Sequence, residues 1–255
     1  MLLFLLIVVF MLIAVGLSLF LIKSDHGEKE PIGALWFAAG LGFAGAIAAA
    51  YLESKIIPLK DIKAGAPPGV MLMSTLGIGF IEECCKFLPL AIYIYHKRYF
   101  NEHTDGIIYF ALAGLGFGLP ENILYTLQYG ASTGMVRLVL TPIFHAAITG
   151  MVGFYLAKCK LDGKKVYTVA PILLVAAVLH GLYDFGLSSG NNIYSLLSAV
   201  ITIGLSINFF YLFMKAGDLD REQGLSVVGH NSYCRTCGYQ NPNHNLYCVH
   251  CGMHA

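Results

Sequence analysis

The sequence predicts an all-α membrane protein: a polytopic transmembrane helix bundle of about seven spans, N-terminus outside and C-terminus inside, with a small zinc-binding tail. Three observations predict it. Of 255 residues, 57% are hydrophobic and only 12% charged, with a mean hydropathy of +0.68, against about 25% charged residues in soluble domains. Seven segments reach the roughly 20 apolar residues that a span requires. Four of the seven cysteines fall in the last 22 residues, as two CxxC pairs. The net charge of +1 gives no reason to expect a nucleic-acid partner.

The expected spans are 1–22, 32–53, 69–95, 105–128, 134–157, 166–188 and 192–214, joined by short polar loops with turn signals such as Ala66-Pro67-Pro68-Gly69 and Asp162-Gly163. The first lacks the basic n-region and small-residue cleavage site of a signal peptide, so it is retained as a helix. Orientation follows from Lys and Arg. With the N-terminus outside, inner segments hold eleven (Lys23, Lys29, Lys97, Arg98, Lys158, Lys160, Lys164, Lys165, Lys215, Arg221, Arg235). Outer loops hold three (Lys55, Lys60, Lys63). Residues 215–230 are polar without apolar periodicity and read as a linker. The chain therefore divides into a membrane domain (1–214), a linker (215–230) and a tail domain (231–255).

Gly40-Leu-Gly42-Phe-Ala-Gly45 matches the GxGxxG pattern of nucleotide sites. It lies in mid-span with no preceding strand, so it reads as helix-packing glycine.

Ionisable residues inside the spans carry the chemistry. One Asp, Lys or Arg at a helix centre costs roughly 2.5–3.5 kcal/mol on insertion scales, so such residues usually mark a site. The third span holds Glu82-Glu83-Cys84-Cys85-Lys86, in which Lys86 is four and three residues from the two glutamates and can pair with either on one face. The fourth opens at Asp105-Gly106, where Asp105 is placed to cap the helix. It continues through Gly114, Gly116 and Gly118, which admit a close neighbour, to Pro120-Glu121-Asn122. In the fifth span Arg137, Thr141 and His145 share a face. The sixth ends in His180-Gly-Leu-Tyr-Asp184, where a carboxylate four residues on can orient the imidazole. At 1.5 Å per residue these groups lie about 12–20 Å below the outer helix ends, close enough to converge.

Glu82-Glu83-Cys-Cys-Lys86, Asp105-Gly106, Glu121-Asn122-Ile-Leu-Tyr125, Thr141-Pro142-Ile-Phe-His145 and His180-Gly-Leu-Tyr-Asp184, five motifs in order, resemble the PrsW family of intramembrane proteases. That family is related to the CAAX prenyl endopeptidases and bacteriocin-immunity-like proteins. The resemblance covers about residues 30–215. It implies endopeptidase cleavage of a membrane-associated protein, such as an anti-sigma factor, in a prokaryotic cell membrane. It also implies a catalytic centre of Glu82, Glu83, His145 and His180. One glutamate would activate water and the histidines would act as acid–base partners or oxyanion donors. Lys86, Glu121, Asn122, Arg137 and Asp184 would be supporting groups.

A catalytic metal is left open. One Glu and two His suit a zinc site with a position for water, but no His-Glu-x-x-His helix is present, and metal-free water activation as in the CAAX relatives is slightly preferred. The tail is clearer. Cys234, Cys237, Cys248 and Cys251 form a four-thiolate set for a structural zinc and resemble a zinc ribbon. Four thiolates complete the shell, which leaves His244 and His250 as bystanders. Reduced thiols point to a cytoplasmic tail, where the ribbon is open to a protein partner. Two other classes remain at this stage: a non-catalytic membrane binding or immunity protein, and an ion-coupled transporter, the latter disfavoured by the lack of an internal repeat.

Overall fold

In hydrocarbon each backbone polar group must be satisfied within its own segment, which selects helices. The computed structural model describes residues 2–25, 27, 29–62, 65–225, and in the tail 232–233, 240–241 and 250–251. Its main elements are α1 (Leu2–Ser24), α2 (Ile32–Ile56), α3 (Pro68–Ile94), α4 (His103–Tyr129), α5 (Ala131–Leu161), α6 (Ala170–Ser188) and α7 (Asn192–Glu222). Six are long and apolar enough to cross a membrane. The exception is α3, whose 27 residues contain Glu82, Glu83 and Lys86 at mid-length.

Packing radiates from α4. It is buried on nearly all sides and lies along α5 and α2, while α3 packs on α6 and α2. Glycine allows the approach: a Cβ on Gly42 would overlap the Ala113 carbonyl, and one on Gly45 would stand 2.8 Å from the Cys85 carbonyl oxygen. The GxGxxG stretch is thus a packing surface on α2, as its setting in the sequence implies. Gly79 of α3 and Gly181 of α6 touch in the same way and draw together the two helices that carry Glu83 and His180. By contrast α1 buries only Leu6, Phe10 and Leu21 and presents a largely apolar outer face.

Two expectations about helix ends change. Asp105 is not the residue before the first turn. Helix α4 starts at His103, and Asp105 sits inside its first turn, where Oδ2 accepts the backbone N–H groups of Asn101 (2.8 Å) and Glu102 (2.7 Å) in a capping box with Glu102. The segment read as a linker is helical to Glu222, since α7 continues eight residues past the expected span end. The reason is Asp220, fully buried against the start of α4. Its carboxylate accepts from the backbone N–H of His103 (2.6 Å) and Thr104 (2.9 Å) and from the Thr104 hydroxyl (2.7 Å). A carboxylate from a distant helix thereby satisfies donors that a helix start leaves open.

In the tail, β1 (Ser232–Tyr233) pairs antiparallel with β2 (Gln240–Asn241). Cys234, Cys237 and Cys248 of the expected zinc set lie outside the described residues, and Cys251 is exposed.

Candidate active site

The charged stretch of α3 meets α5 and α6. Lys86 Nζ lies 2.9 Å from Glu83 Oε1, 3.3 Å from Glu82 Oε2, 3.1 Å from His145 Nδ1 and 3.4 Å from His180 Nδ1, above the face of the Phe117 ring. Glu83, Lys86, His145 and His180 are each at most 1% exposed. All four catalytic positions expected from sequence therefore converge, and Lys86 lies between them.

The two glutamates differ. Glu83 Oε1 accepts from Lys86 and sits 2.7 Å from His180 Nδ1, so this oxygen is spent on positioning. Glu82 lines a cavity of about 210 Å³ between α2, α3 and α4, and so does Glu121. Glu121 pairs through Oε1 with Arg137, whose Nε donates to Asn122 Oδ1 (3.0 Å) and whose guanidinium stacks on Tyr125 at 4.0 Å. The other oxygen, Oε2, stands 2.7 Å from His145 Nε2, off the direction of a hydrogen bond. Asp184 is more remote, 3.6 Å from His180 Nε2. Thr141, on the Arg137–His145 face, hydrogen-bonds Tyr183 at 3.0 Å, and the Tyr183 ring stacks on Phe144. Gly118 makes room for His145: a Cβ there would lie 2.6 Å from the imidazole Cδ2.

Sequence reasoning passed over Glu53, which also lines the cavity. A signal existed. Ala46, Ala49, Ala50 and Glu53 share one stripe of α2, at spacings of three, four and seven residues.

Fold and site together define a class: a polytopic membrane protein with a buried carboxylate–imidazole centre beside a cavity. Comparison with known proteins narrows it. The sequence model of the PrsW family, described as intramembrane metalloproteases, matches residues 30–215. Protease PrsW of Bacillus subtilis (strain 168) is 32% identical over 188 residues, 72% of this chain and 84% of that protein. Protease PrsW of Oceanobacillus iheyensis is 33% identical over 55% of this chain and 66% of its own length, and that of Shouchella clausii 34% over 44% and 52%. No solved structure matches the chain. The chain belongs to the PrsW family and is a membrane-embedded protease.

The family description favours a metal over the metal-free route preferred from sequence, and the residues fit one. Glu82, His145 and His180 each bring a ligand atom within 4.8 Å of the others. The carboxylate of Glu83, 2.7 Å from His180 Nδ1, favours the proton on that nitrogen and the lone pair on Nε2, which makes no hydrogen bond among the described residues and stands 3.2 Å from Glu82 Oε2. A carboxylate commonly sets a ligating histidine this way. Charge agrees in sign: with Glu53 of the cavity wall set aside, four carboxylates (Glu82, Glu83, Glu121, Asp184) against two cations (Lys86, Arg137) leave a formal charge of −2, which favours a cation. His145 is less prepared. An ammonium only donates, so Lys86 makes Nδ1 the acceptor and places the proton of a neutral imidazole on Nε2.

Proposed function

We propose that the protein is a multi-pass bacterial membrane endopeptidase that cuts membrane-anchored regulatory proteins, of which an anti-sigma factor is an example, where Glu82 and Glu121 line the cavity. One observation carries this reading. Two of the carboxylates that line the cavity, Glu82 and Glu121, stand against the buried His180 (3.2 Å) and His145 (2.7 Å), inside a bundle of apolar helices.

Glu82, His145 and His180 would hold a divalent ion, which when bound polarises a carbonyl and acidifies a water. Glu121 Oε2, 2.7 Å from His145 Nε2, is the oxygen of Glu121 not paired with Arg137; in this reading it takes the proton of the attacking water and returns it to the leaving nitrogen. Arg137 and Asn122 fix Glu121. Glu83 orients His180, Lys86 is shared between Glu82 and Glu83, and Asp184 supports His180 from the next turn. The helices exclude bulk water, which strengthens each of these charges.

The same reading takes α3 as the seventh span, with the N-terminus outside and the tail in the cytoplasm. It takes residues 231–255 as a zinc ribbon that offers a surface to a cytoplasmic protein. The support is the Lys and Arg distribution and a strand pair that brackets Cys234 and Cys237 in sequence.

The test compares protein N-termini in membranes of cells that express the wild type or Glu82→Gln/Glu83→Gln. New termini near membrane segments, present only with the wild type, are expected. Equal termini at equal expression would remove the proposed centre.

A further inference from the structure

The cavity walls are mostly apolar, with Ala46, Ile47 and Ala50 from α2 and Phe117 and Leu124 from α4. Three carboxylates interrupt them. Glu82 is 3.3 Å from Lys86, and Glu121 is paired with Arg137. Glu53 differs: among the described residues no Lys, Arg or His nitrogen lies within 4.0 Å of it, and its Oε1, though shielded from solvent, has no hydrogen-bond partner. A carboxylate held in an apolar wall without a partner costs free energy unless a donor arrives. Among the described residues Glu53 is thus a carboxylate without a cationic neighbour, on the α2 wall of the cavity that Glu82 and Glu121 also line.

We propose that this cavity receives the substrate chain and that Glu53 selects a Lys or Arg side chain close to the scissile bond. This rests on the protease reading and names its substrate class. The fit is chemical on both counts. A Lys or Arg stem can lie along Ala46, Ile47 and Ala50 while its head reaches Glu53. Tyr129 adds to the cavity wall an aromatic group, which favours a cation, whereas Phe117 and Tyr125 already face Lys86 and Arg137. A neutral residue would leave Glu53 unpaired, and an acidic one would be repelled by three carboxylates. Discrimination then comes from the penalty on wrong residues as much as from the gain on right ones. In the N-out orientation Glu53 lies in the last turn of α2 at the outer side, so a basic residue that it selects would register the substrate chain on the outer side of the bilayer.

The experiment maps cleavage-site sequences in membranes of cells that express the wild type, Glu53→Gln, Glu53→Lys or the inactive Glu82→Gln/Glu83→Gln, with each variant's level in the membrane measured. Wild-type sites are expected to show Lys or Arg at a fixed position within a few residues of the cut. Glu53→Gln should reduce that preference by roughly tenfold, and Glu53→Lys should turn it toward Asp or Glu. Wild-type sites without a basic residue, or one preference shared by all active variants, would overturn the proposal. So would an equal loss of every cut in both Glu53 variants at normal protein level, since a structural role predicts that. Termini identical between the wild type and the inactive variant would instead overturn the protease reading, and this inference with it.

Discussion

Glu83 and His180 are 97 residues apart in the chain, yet Oε1 and Nδ1 lie 2.7 Å apart with both side chains buried. The contact fixes which imidazole nitrogen carries the proton and where the other points. Glu83→Gln keeps the shape but loses the charge that holds both Lys86 and His180. Activity should fall about 10- to 100-fold, the usual effect of removing a partner that orients a metal-binding histidine. His180→Ala should abolish cleavage. Cleavage assays at matched membrane levels check both, and retained activity in both variants would strip the contact of its role.

Lys86 is fully buried and is shared between two carboxylates, Glu82 and Glu83. Lys86→Met leaves both uncompensated, and breaking a buried pair from one side costs about 3–5 kcal/mol. The melting temperature in detergent should drop sharply. The double variant Lys86→Met/Glu83→Gln should recover part of the loss, because one stranded charge is gone. Additive losses would show that Lys86 does not act through Glu83.

Glu82 and Glu121 both face the cavity, but their proposed tasks differ. Glu82→Gln should release one metal ion per chain relative to the wild type and lose activity. Glu121→Gln should lose activity and keep the ion. Metal content of the purified full-length protein settles this by difference, so any ion in the tail cancels. A common loss of metal in both variants would make Glu121 a ligand rather than a proton acceptor.

The site was more legible in the sequence than the fold around it. Glu82, Glu83, Lys86, His145 and His180 stand out because an ionisable group inside an apolar span has almost no neutral explanation, and helical spacing places each on one face. Arg137 was legible as a member of the His145 face, but its binding to Glu121 and Asn122 was not, because that depends on how α4 and α5 cross. Depth counting placed the groups close enough to converge, but treating helices as parallel rods cannot say which pairs touch; the structure puts Glu83 and His180 in contact. Asp220 was read as linker for a similar reason. A polar stretch without periodicity gives no sign of helix, and its helical state is secured by the first turn of α4, 116 and 117 residues earlier.

That Asp220 contact has a measurable consequence. Asp220→Ala leaves the buried N–H groups of His103 and Thr104 without their acceptor, at about 1–3 kcal/mol for stranded donors. The melting temperature should fall and the end of α7 should become sensitive to protease, while Asp220→Asn, which keeps one acceptor oxygen, should lose less. An unchanged protease pattern in Asp220→Ala would mean that α7 is held by its apolar contacts alone.

Gly118 tests whether the centre tolerates a small displacement. An added Cβ would stand 2.6 Å from His145 Cδ2, and the three nearest atoms all belong to that imidazole, so the ring is the group that must yield. Misplacing a reacting group by about 1 Å can cost 10²-fold in rate. Gly118→Ala should therefore lose most activity with a small change in melting temperature. Gly40→Ala is the matched control, because nothing lies within 4 Å of a Cβ at that α2 position; it should keep both. Equal activity in the two variants would mean that His145 shifts without consequence and is no part of the catalytic centre.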